Sequence, residues 1–158
     1  MILTVLLATG LLGQVQTARS EWVVTHADGR EATAVGVGDA FVPDGEDFTF
    51  ALAYTVYRRG TSETRWTTPA YRLEFLAFRC ADRTYRVRRS ILYSGVADPL
   101  STPNTDDDPY RSVARDPRRA RQLEAVCAPS GAADLPRFED YFRFMDAYGV
   151  DTRGPDAR

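Results

Sequence analysis

The sequence predicts an α+β fold: an antiparallel β-sheet of about five or six strands, a disulfide-tethered helix and a C-terminal amphipathic helix. Three observations carry this expectation. Phe48, Phe50, Leu52, Tyr54 and Val56 alternate with Thr49, Ala51, Ala53 and Thr55 at the period of a strand. Two β-rich arms flank Ala81-Asp82 as the sides of a hairpin would. Two later segments, opening at Asp116-Pro117 and near Leu135, repeat apolar residues at helical spacing. At 158 residues the chain fits one domain. We divide it into a signal segment (1–20), an α+β domain (21–128), an aromatic amphipathic helix (129–150) and a flexible tail (151–158).

Ile2 to Leu12 form an apolar run of the length found in secretory signals. The run falls short of the ~20 apolar residues a bilayer-spanning helix needs. Gln14 and Gln16 end it, and Thr17 and Ala18 offer a cleavage site. Neither Lys nor Arg precedes the run, so a buried N-terminal strand or helix is the competing reading. The segment holds no Cys for lipid attachment, and no later apolar stretch is long enough to span a membrane. The mature chain is therefore expected to be exported, either periplasmic or secreted.

Strands and turns follow in order. Glu21–His26 carries Trp22, Val23 and Val24, Asp28-Gly29 offers positive-φ hairpin chemistry, and Glu31–Val37 runs back as the partner. Pro43-Asp44-Gly45 is a second turn signal. Asp47–Tyr57 is the clearest strand, and Arg59-Gly60-Thr61-Ser62 reads as a loop. Tyr71–Cys80 and Arg83–Tyr93 form a hairpin in which Cys80 faces Arg83. That register sets Phe78 beside Tyr85, Leu76 beside Val87 and Glu74 opposite Arg89 on one face. On the other face, Phe75 lies beside Arg88 and Ala77 beside Arg86. A four-residue loop preserves this pairing; three or five residues would scramble it. Asp98–Asp108 is an exposed connection. Asp116 then caps a helix with Pro117 in its first turn, running through Val126. Phe138, Tyr141, Phe142, Met145 and Tyr148 predict a helix from about Leu135 to Tyr148, stopped by Gly149.

Cys80 and Cys127 are the only cysteines. An even count in an exported chain favours a disulfide, and that bond brings the first helix onto the Phe78–Leu76–Val87 face. All the basic side chains are Arg, and the net charge of −2 argues against general nucleic-acid binding. Charge is nevertheless segregated. Glu21–Asp47 is acidic apart from Arg30, whereas Tyr71–Tyr93 carries Arg72, Arg79, Arg83, Arg86, Arg88 and Arg89 against Glu74 and Asp82.

An ordered set of residues runs through the domain. It comprises Phe75-Leu-Ala-Phe-Arg-Cys80-Ala-Asp-Arg83-Thr-Tyr85-Arg86, Tyr93-Ser-Gly95, Tyr110-Arg-Ser-Val-Ala and Gln122-Leu123-Glu124-Ala-Val126-Cys127, with Trp22-Val-Val near the mature start. Together these resemble the surface-adhesin protein E-like family of small exported proteobacterial proteins, over about Glu21 to Ala128. The resemblance implies a small antiparallel sheet with a packed helix and a Cys80–Cys127 bond. It also implies an envelope role, since the family includes proteins that bind host extracellular-matrix or serum proteins. No binding residue is matched position by position, no lipidation Cys is seen to hold the chain at a surface, and the C-terminal aromatic helix lies beyond the matched region.

Chemistry-bearing patterns are sparse. Asn104-Thr105-Asp106-Asp107-Asp108 resembles the start of a calcium loop, but Pro109 and Arg115 stand where Gly and Glu are required. A hydrolytic triad needs a nucleophile, a base and an orienting acid, and no nucleophile motif such as G-x-S-x-G accompanies His26. No catalytic residue, cofactor or metal is expected. Arg86 and Arg88 are two apart on a strand, beside Phe75. They form a candidate binding face for an acidic or glycan partner, or else pack against the acidic N-terminal strands. The expected function is a non-enzymatic envelope protein binding an envelope or extracellular macromolecule. A structural periplasmic protein and an enzyme with an unrecognised site are the alternatives.

Overall fold

The computed structural model of the protein describes residues 21–57, 69–94, 98–102 and 108–148. The expected signal segment, the Arg59–Ser62 loop, most of the Asn104–Asp108 run and the tail lie outside the described residues.

Five long strands form where apolar residues alternate: β1 (Trp22–Ala27), β2 (Glu31–Gly36), β3 (Thr49–Tyr57), β4 (Pro69–Arg79) and β5 (Thr84–Ser94). Each pairs antiparallel with the next. Three short strands join them. β6 (Pro99–Ser101) and β7 (Arg111–Ser112) pair with β5, and β8 (Arg137–Phe138) pairs with β1. The sheet thus has eight strands where five or six were expected. The additional ones are two or three residues long, too short for a periodic pattern.

The turns settle several sequence expectations. In the β1–β2 hairpin Gly29 does not adopt positive φ. The Asp28 carboxylate closes the turn instead, accepting from the Arg30 and Glu31 backbone N–H groups at 2.7 and 2.9 Å. Those two bonds hold the Asp28 carboxyl below its ordinary pKa. Gly45 does take the left-handed conformation, at φ 77°, under a Glu46 N–H to Pro43 carbonyl bond. Between β4 and β5, Arg83 supplies the left-handed residue at φ 51°. The four-residue loop gives Phe78–Tyr85, Ala77–Arg86 and Leu76–Val87 as expected. A β-bulge then makes Arg88 an extra residue in β5, so Phe75 faces Arg89 and Glu74 faces Ser90. The expected Phe75–Arg88 and Glu74–Arg89 pairs are therefore replaced.

Helix α1 (Pro117–Cys127) is capped by Asp116, whose carboxylate accepts from the Arg119 N–H at 3.1 Å. It covers one sheet face. Leu123 and Ala125 pack with Val23, Val35, Ala51, Ala53, Leu76, Phe78 and Tyr85, and Val87 joins their edge. Between helix and sheet the Arg119 guanidinium donates to Glu74 at 2.8 Å and to Gln122 at 2.9 Å. Burial works against the Arg119 charge, but the Glu74 carboxylate outweighs it and holds the guanidinium pKa above its ordinary value. A Cys80–Cys127 disulfide ties the ends of β4 and α1, with the Cα atoms 5.7 Å apart.

On the opposite face α2 (Tyr141–Ala147) packs Phe144 and Met145 against Trp22, Val24, Ala32, Ala34 and Val56. The Trp22 ring lies over Gly36, where a Cβ would meet it at 3.2 Å. The helix begins six residues later than expected. Phe138 is spent pairing with Trp22 in β8, and the Asp140 carboxylate then caps the helix by accepting from the Arg143 N–H. Counting helical periodicity across an extended Phe138 misplaced the stripe. Phe144 is buried, and Phe142 is 53% exposed.

Candidate binding face

α2 covers the β1–β3 part of the second sheet face. Over β3–β5 that face carries Phe50, Phe75, Ala77, Arg86 and Arg89 by their places in the ladders. Arg88, the bulge residue, joins them by lying against the ring of Phe48, two residues before Phe50. The sequence-predicted trio of Arg86, Arg88 and Phe75 therefore shares one face, although the bulge gives Phe75 a different neighbour.

Two groupings organise it. Phe41, bridged by two backbone bonds to Phe50, starts a row of rings. Phe41–Phe50 centroids lie 5.4 Å apart and Phe50–Phe75 centroids 6.1 Å apart, each pair tilted. Phe41 and Val42 remain 53% and 59% exposed. Beside the rings, Tyr110, just before β7, receives the Arg79 guanidinium at 4.1 Å and the Arg86 guanidinium at 4.9 Å from its centroid. Arg88 lies 5.8 Å from the Phe48 ring. Arg79 also pairs with Asp47 at 3.0 Å, and Arg89 is exposed. Sequence reasoning missed Phe41, Arg79 and Tyr110 as parts of this face. Phe41 and Tyr110 lie outside the long strands, where alternation assigns no side.

Next to this face runs a band of tyrosines. Tyr93 stacks on Tyr71 at 4.7 Å, Tyr71 lies 6.3 Å from Tyr54, and Tyr141 of α2 stacks on Tyr54 at 4.8 Å. Burial pushes the Tyr54, Tyr71 and Tyr141 phenols above their ordinary pKa of 10.0. These hydroxyls stay protonated at neutral pH.

No protein-family model, curated protein or solved structure matches the chain. The residues themselves carry the functional reading. His26 Nε2 is 3.3 Å from the Asp28 carboxylate and 3.9 Å from that of Glu31, and this places it on the first hairpin. Among the described residues no group of three His, Cys, Asp or Glu gathers to hold a metal ion, and no helix is long and apolar enough to cross a membrane. Asp108, the described end of the acidic run, pairs with Arg111 at 3.2 Å. Arg and aromatic side chains gather on the β3–β5 half of this sheet face.

Proposed function

We propose that this chain is an exported, non-enzymatic envelope protein that binds a macromolecule through the β3–β5 part of its second sheet face, in an adhesin-like role. The observation that carries this reading is the Phe41–Phe50–Phe75 row lying alongside Arg79, Arg86, Arg88 and Arg89. Aromatic and Arg side chains are the residue types that dominate binding hot spots. The Cys80–Cys127 bond supports export, because disulfides persist in oxidising compartments. The resemblance to the protein E-like family supports the envelope setting.

The test compares Arg86→Ala and Arg88→Ala with the wild type in a pull-down from envelope extract. Both variants must keep the wild-type circular-dichroism spectrum. Loss of the same partner from both supports the reading; undiminished recovery by both refutes it. Fractionation of the native host checks the compartment, and a cytoplasmic pool with both thiols free would refute export.

A further inference from the structure

We infer that the Arg79–Arg86–Tyr110 cluster is an oxyanion site, and that the face around it takes an anionic polysaccharide, its sulfate or carboxylate groups at the guanidiniums and its sugar rings on the phenylalanines. The inference rests on the proposed binding function and names the partner class. Arg79 (β4) and Arg86 (β5) converge on the Tyr110 ring, at 4.1 and 4.9 Å. Two guanidiniums repel one another, and the ring's π-face offsets that repulsion at the centre of the cluster. Arg79 Nε donates to Asp47 at 3.2 Å, and Arg86 Nε is buried. The Arg86 guanidinium forms no ion pair among the described residues. Packing on the Tyr110 ring holds the Arg86 guanidinium in orientation, which lowers the entropy lost on binding.

Three polar atoms in this cluster are buried without a hydrogen-bond partner: Arg86 Nε, Tyr110 Oη and Thr84 Oγ1. Thr84 faces Arg79 across the hairpin. Arg86 Nε only donates, and the two hydroxyls can donate as well as accept, so an acceptor-only group complements all three. A sulfate or carboxylate is an acceptor-only group that matches the guanidinium fork.

The surroundings choose the polymer. Arg89 stands exposed opposite Phe75 and adds a further charge along β5. The Phe41, Phe50 and Phe75 rings are tilted at 46° and 48° to one another, a graded apolar surface for sugar faces rather than parallel slots for bases. Arg79, Arg86, Arg88 and Arg89 concentrate positive charge on this face of a chain whose net charge is −2.

Binding of the full exported chain to heparin, to a carboxylated polysaccharide, to neutral dextran and to a single-stranded oligonucleotide, each titrated at several salt concentrations, tests this. The wild type is expected to bind one or both acidic polysaccharides, to ignore dextran and to bind the oligonucleotide more weakly. Arg86→Gln and Arg89→Gln should each weaken binding about tenfold, the value of one charge-assisted hydrogen bond, and flatten its salt dependence. Arg89→Gln alters an exposed side chain and so keeps the test valid if Arg86→Gln fails to fold. Arg121→Gln, on the solvent side of α1, should change nothing. Absence of polysaccharide binding, binding that both face variants retain, or tighter oligonucleotide binding would overturn the inference. If polysaccharides fail but the pull-down partner still depends on Arg86 and Arg88, the binding face stands and only the partner class falls.

Discussion

Replacing both Cys80 and Cys127 by Ala removes the covalent link between the end of β4 and the end of α1. The two residues are 47 apart, and the closed segment contains β5, β6, β7 and α1. In the chain-entropy relation a loop of that length restricts the unfolded chain enough to stabilise the fold by about 4 kcal/mol. With a urea dependence of roughly 2 kcal/mol per M, the unfolding midpoint should fall by about 2 M. The slope should rise at the same time, because an uncrosslinked unfolded chain exposes more surface. Urea unfolding followed by circular dichroism measures both, and reduction of the wild type should reproduce the double variant. A midpoint shift under about 0.5 M would show that packing alone holds α1 on the sheet, and the entropic reasoning would fail.

Arg119→Ala leaves Glu74, 8% exposed at its side chain, without its ion-pair partner, and should cost about 3–5 kcal/mol in denaturant unfolding. Glu74→Leu combined with Arg119→Met should cost less than either single loss; an equal or larger cost would contradict that account. The tyrosine band predicts alkaline sensitivity. The Tyr54 and Tyr71 phenols are raised by burial above the unfolded value of 10.0, so their stabilisation is complete below pH 10 and disappears as pH climbs through the folded values. Phenolate absorbance followed alongside circular dichroism should show these tyrosines ionising as the fold is lost. Early ionisation of all tyrosines with the fold intact would refute the prediction.

The long strands and α1 were legible because each repeats one period over enough residues. Phe48 to Val56 alternate across β3, and Asp116-Pro117 marks the α1 start unambiguously. The register of the β4–β5 hairpin was legible up to Leu76, since loop length and apolar pairing agree there. Beyond it the Arg88 bulge changes every partner, and no residue type announces a bulge in an otherwise regular strand. Glu74 was assigned to a cross-strand Arg89, whereas its partner is Arg119, whose approach depends on the helix docking. The candidate face was read only in part for the same reason. Arg86, Arg88 and Phe75 share a hairpin, whereas Phe41 and Tyr110 reach the face through loops whose paths local sequence leaves open.

The sheet is bounded by β6 and β8, strands of three and two residues. A long open margin of unpaired N–H and C=O groups would be a template for another copy of the chain, or for any extended peptide. β6 and β7 meet β5 only at Leu92–Tyr93 and Thr84–Tyr85, so these stubs cover the ends of that strand and not its full length. Strands of two and three residues carry little template of their own, and a copy of the chain adding at β6 or β8 would gain only one or two ladder bonds.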